Sequence, residues 1–125
     1  MATILVVDDN LPILRMLTLV LEENGFTVVT ANNGAEALHI LRIRRDGIDL
    51  VVSDVMMPEI NGPTLARSLL AEYPTLPVLL ISGGSESLDL ECLKSFRFLA
   101  KPFDLTTFVS TVHRLLLERV SHAAA

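Results

Sequence analysis

Two kinds of apolar pattern alternate along this chain. In one, apolar residues are consecutive; in the other, they recur every three or four positions. The first marks a strand buried on both faces and the second an amphipathic helix. Thr3 to Val7 is a continuous run ending on Asp8-Asp9. Asn10 then caps a helix that tolerates Pro12 in its first turn and repeats Ile13, Leu17 and Leu21 on one side. Gly25 stops it. Phe26 to Ala31 reads as a second strand, and Asn33-Gly34 leads into a second helix, Ala35 to Leu41. Arg42, Arg44 and Arg45 fall in its last turn, where cations suit the helix dipole.

The third strand is Leu50 to Asp54, bounded soon after by Pro58. Asn61-Gly62-Pro63 opens a third helix through Leu65, Ala66, Leu69 and Leu70, which stops before Pro74. Pro77 to Ile81 is a fourth strand ending on Ser82. Ser87 to Ser95 is a short, weak fourth helix with Leu90 and Leu93 as anchors. Phe96 to Ala100 is a fifth strand, followed by Lys101-Pro102. Asp104 caps a long last helix with Leu105, Phe108, Val109, Val112 and Leu116 on one face.

Strand and helix alternate five times, which predicts a doubly wound α/β fold with a parallel sheet. The first, third and fourth strands carry the densest apolar runs and belong in the middle. The more polar second and fifth belong at the edges. The flavodoxin-like order 2-1-3-4-5, a (βα)5 arrangement, satisfies this and right-handed crossovers as well. One domain is expected over residues 1–121, with 122–125 as a tail or the start of a linker.

Composition narrows the function. The chain has 125 residues, enough for one buried core, and half of them are apolar. A net charge of −5 argues against a nucleic-acid surface, which needs clustered Lys and Arg. No apolar run reaches the ~18 residues of a membrane span. No basic leader precedes the first strand, so a cytoplasmic protein without membrane partners is expected. Cys92 is the single cysteine, which excludes an internal disulfide and fits a reducing compartment. His39, His113 and His122 are scattered and read as solvated surface.

The predicted topology collects chemistry at one sheet edge. Asp8-Asp9 and Asp54 end neighbouring strands, Ser82 ends the fourth, and Lys101 follows the fifth. Taken singly, each has a bland reading as a turn residue, strand end or surface charge. Five such residues on one edge form a constellation. Like charges ~4 Å apart cost about 4 kcal/mol at an effective dielectric of 20. A hard divalent cation, Lys101, or both must offset that. Mg2+ commonly takes one or two carboxylates, waters and a phosphoryl oxygen. Asp54 is central and can act as a nucleophile that forms an acyl phosphate. Ser82 could donate a hydrogen bond to the phosphoryl group.

Over nearly all its length the chain resembles the receiver domains of two-component response regulators. The matching stretches are Val6-Val7-Asp8-Asp9, Asn33 to Leu38, Asp54 to Pro58 with Gly62, Pro77 to Ser82, and Lys101-Pro102-Phe103. The resemblance implies that Asp54 is the phosphoacceptor, served by a histidine kinase or a histidine phosphotransfer domain. It implies that Asp8, Asp9, Asp54 and the backbone carbonyl of Met56 hold Mg2+. It implies that Ser82 and Lys101 contact the phosphoryl group, and that the bond before Pro102 is cis. Ser82 and Phe98 would form the switch, and Met56 and Gly84 would tune acyl-phosphate lifetime. Outputs, or a homodimer, would use the face of the fourth helix, fifth strand and last helix. The ending Phe98-Leu99-Ala100-Lys101-Pro102-Phe103 is reminiscent of receivers in hybrid histidine kinases.

The implied function is a phosphorylation-controlled switch whose only chemistry is its own phosphotransfer and autodephosphorylation. Three rivals stand beside it, the first and the third with the same fold. A flavin-binding module needs a Ser/Thr/Gly-rich phosphate loop after the first strand, where Asp8-Asp9 has the wrong charge. An aspartate phosphohydrolase needs Asp-x-Asp there. A scaffold would bind constitutively, with phosphorylation changing no affinity.

Overall fold

The computed structural model describes residues 2–44, 46–57, 60–83 and 96–124, apart from the side chains of 62, 63 and 119–124. Five strands, β1 Thr3–Val7, β2 Thr27–Ala31, β3 Leu50–Asp54, β4 Val78–Ser82 and β5 Arg97–Ala100, form one sheet. Its order is β2-β1-β3-β4-β5, with every pairing parallel. Four helices are described: α1 Leu11–Glu23, α2 Gly34–Ile43, α3 Gly62–Glu72 and α4 Leu105–Ala124. The helix expected over Ser87 to Ser95 lies outside the described residues.

The apolar density of each run sets its place in the sheet. β3 and β4 are buried at every residue, and β1 at all but its first. β2 and β5 show mixed burial, as edge strands should. Side chains alternate across the sheet, so each central strand feeds two cores. Leu5, Val7, Val51, Val78 and Leu80 meet Ala37 and Leu41 of α2 and Leu65, Ala66 and Leu69 of α3. Ile4, Val6, Leu50, Val52, Leu79 and Ile81 meet Leu14, Leu17 and Leu21 of α1 and Phe108, Val112 and Leu115 of α4. Truncating the fully buried Phe108 would cost about 3–5 kcal/mol.

The ends of the helices follow their sequence signals. Asn10, Asn33 and Asn61 each accept a backbone N–H three residues on, from Ile13, Glu36 and Thr64. Asp104 does the same for Thr107 at 2.6 Å. Gly25 turns the chain out of α1 with φ +88°, a conformation that favours glycine. Two details differ from expectation. Leu105 is 38% exposed, and Leu115 rather than Leu116 takes the last core position of α4. The backbone of α4 continues to Ala124, into the stretch 122–125 expected as a tail or the start of a linker.

Candidate phosphoryl-acceptor site

Because all five strands run in one direction, their C-terminal ends share an edge. β1 and β3 are adjacent, yet the chain leaves β1 towards β2 on the other side. The crevice between their ends is therefore a topological switch point, where open α/β sheets bind ligands. Asp8 and Asp9 directly follow β1, and Asp54 is the last residue of β3.

These three carboxylates converge. One oxygen from each lies within 4.8 Å of the others. Asp8 is buried, Asp54 is 8% exposed, and Asp9 is open to solvent. An all-oxygen set of this kind suits a hard divalent cation rather than a soft one. Asp8 is held in place by the N–H of Asn10, which donates to Oδ1 at 2.8 Å. Burial raises the Asp8 carboxyl pKa above its usual 3.8, against the pull of that hydrogen bond; the charge of Asp54 raises it further, Lys101 lowers it, and Asp9 raises it.

Lys101 reaches the same crevice from beyond β5. Its Nζ lies 3.4 Å from Asp54 Oδ1, with the side chain about one-third exposed. Its backbone N–H donates to the Ser82 carbonyl at 2.7 Å, which ties the ends of β4 and β5 together. One ammonium against three carboxylates leaves an excess of negative charge, and a divalent cation would offset it. The Lys101–Pro102 bond is cis. Ser82 is buried at the end of β4.

Of the residues placed on this edge by the sequence, Asp8, Asp9, Asp54 and Lys101 are thus brought together, and Ser82 is tied to Lys101 through its backbone carbonyl. Met56 lies in the turn after Asp54 with its side chain 62% exposed. Phe98 is half buried against the α2–α3 side of the sheet. Gly84 lies outside the described residues. Two contributors were not legible from spacing. The Asn10 N–H orients the Asp8 carboxylate, a role hidden behind that residue's part as a cap. Ser53 is a fully buried hydroxyl in an otherwise apolar part of β3. Its signal was a polar residue inside a continuous apolar run.

The chain matches the response regulator receiver domain family over residues 4–113. It is 38% identical over 118 residues to the sensor kinase CckA of Brucella abortus (strain 2308), covering 92% of this chain and 12% of that protein. It is 38% identical over 125 residues to the transcriptional regulatory protein CpxR of Escherichia coli (strain K12), covering 98% and 51%. The chain therefore spans about half, or much less, of these curated relatives. Among solved structures, the response regulator protein TrrA of Thermotoga maritima, in complex with Mg(2+)-BeF, superposes with a TM-score of 0.81. That pair is 31% identical and covers 92% of this chain and 99% of the other.

Proposed function

This chain belongs to the response regulator receiver domain family, and from that premise we propose that Asp54 is its phosphoacceptor. The domain is a phosphorylation-controlled switch of two-component signalling. A sensor kinase and a transcriptional regulator match it equally, at 38% identity, so the switch itself is what they share. The observation that carries the assignment is the convergence of Asp8, Asp9 and Asp54 with Lys101 at one sheet edge.

In this reading the donor is a phosphohistidine on a histidine kinase or a histidine phosphotransfer domain. An Asp54 carboxylate oxygen attacks phosphorus while the P–N bond breaks. The electron pair leaves on the imidazole nitrogen, which takes up a proton, and Asp54 becomes an acyl phosphate. Asp8, Asp9, Asp54 and the Met56 carbonyl would hold Mg2+. Bound there, the metal neutralises charge on the transferring oxygens. Lys101 neutralises the same charge from the β5 side and exchanges its Asp54 contact for a phosphoryl oxygen.

Ser82 and Phe98 are the proposed switch. Both lie on the α2–α3 face of the sheet, because β4 and β5 pair Leu80 with Phe98 and Ser82 with Ala100. A Ser82 hydroxyl drawn to the phosphoryl group would vacate space next to Phe98, whose half-buried ring can then turn inward. The consequence is read on the face of β5 and α4, where an output partner or a second copy would bind. No helix among the described residues is long and apolar enough to cross a membrane, and the cytoplasm is the proposed compartment. The reading assigns no turnover of an external substrate.

Incubation with acetyl phosphate and Mg2+ tests this directly. One phosphoryl group per chain is expected, labile to hydroxylamine as an acyl phosphate is, and lost when EDTA is added beforehand. No incorporation, or a label that resists hydroxylamine, would overturn the assignment.

A further inference from the structure

β3 is buried from end to end, and three of its five residues are Leu50, Val51 and Val52. Ser53 breaks that run with a hydroxyl that is 0% exposed. Burying a hydroxyl costs free energy unless it finds a hydrogen-bond partner, so its placement asks for a physical reason. Its Oγ donates to the backbone carbonyl of Asp54 at 3.0 Å and lies 4.0 Å from Met57 Sδ. One side chain thus touches both ends of the turn that runs from Asp54 to Met57. That turn carries two of the oxygens assigned above to Mg2+, the Asp54 carboxylate and the Met56 carbonyl.

We infer that Ser53 is a positioning residue for the metal: its hydroxyl fixes the peptide after Asp54 so that both oxygens face one point. The inference rests on the assignment of Asp54 and Met56 as ligands. Mg2+ demands near-octahedral geometry and tolerates little drift in its donors. A valine at position 53 would suit a buried parallel strand at least as well. The hydroxyl therefore serves the turn rather than the strand.

Titration calorimetry of the purified chain with MgCl2 tests this, with a urea melt of each variant to fix its folded fraction. Ser53→Ala is expected to weaken Mg2+ binding by about 10-fold, the low end for groups that orient metal ligands. Ser53→Thr keeps the hydroxyl and is expected to stay near the wild-type affinity. Should Ser53→Ala fail to fold, Ser53→Cys keeps the volume with a weaker donor and is expected to weaken binding as well. A folded Ala or Cys variant that binds Mg2+ as tightly as wild type would overturn the inference, whatever its stability. A wild-type chain that binds no Mg2+ would instead sink the ligand assignment beneath it.

Discussion

Lys101 Nζ stands 3.4 Å from Asp54 Oδ1 and joins residues 47 apart in the chain. The contact spans the ends of β3 and β5, with β4 between them. It gives the crowded carboxylates their one described cationic contact. Replacing Lys101 with Met removes it while keeping the stem's length. In EDTA the variant is expected to lose about 1 kcal/mol, the upper end for a pair that is partly exposed. Its Mg2+ affinity is expected to rise, because a competing cation has gone. Urea melts and calorimetry measure the two; weaker Mg2+ binding would contradict this account of Lys101.

Asp8 makes the metal-free chain sensitive to pH. Its pKa is raised above 3.8, so between 3.8 and that raised value the folded chain binds more protons than the unfolded one. Stability therefore falls as pH rises through that window and stays lower above it. Asp104 has the opposite sign: the Thr107 backbone N–H lowers its pKa, so its contribution is lost as pH falls below 3.8. The two windows do not overlap. Asp8→Asn is expected to abolish the fall above pH 3.8 and to be more stable than wild type near neutrality. Urea melts in EDTA across pH check this, and an unchanged slope would refute it.

Gly34 is required by a close approach. A Cβ built on it would lie 2.8 Å from both Cβ and Cγ2 of Ile60 and 3.1 Å from the Ile60 carbonyl oxygen. These atoms are near the backbone and cannot swing aside. Gly34→Ala is expected to cost about 1–3 kcal/mol through overpacking. It should also shift amide resonances in the chain between β3 and α3. A variant as stable as wild type would show that Ile60 moves freely.

Met56 sits in the turn after Asp54 with a largely exposed side chain, and we propose that it partly screens the acyl phosphate from water. Met56→Asn is expected to speed loss of the phosphoryl group from Asp54. The decay of labelled protein measures it, and an equal half-life would remove Met56 from the account.

Much of this was legible in the sequence because parallel sheets buried on both faces write themselves as continuous apolar runs. Leu50 to Asp54 is an example: the strand, its central place and its terminal carboxylate all follow from five letters. The strand order alone puts Asp8, Asp9, Asp54 and Lys101 at one sheet edge. Helix faces were less legible. Leu115 and Leu116 both fit the repeat set by Phe108 and Val112, and only the packing of α4 on the sheet decides which is more buried. Ser53 and the Asn10 N–H were hidden for another reason. Each acts through a hydrogen bond to a backbone or carboxylate atom, and such bonds leave no spacing pattern.

The central claim is that Asp54 alone takes the phosphoryl group, and intact-mass spectrometry after acetyl phosphate and Mg2+ tests it most directly. Wild type is expected to gain one phosphoryl mass and Asp54→Asn none. Full labelling of Asp54→Asn would contradict the account.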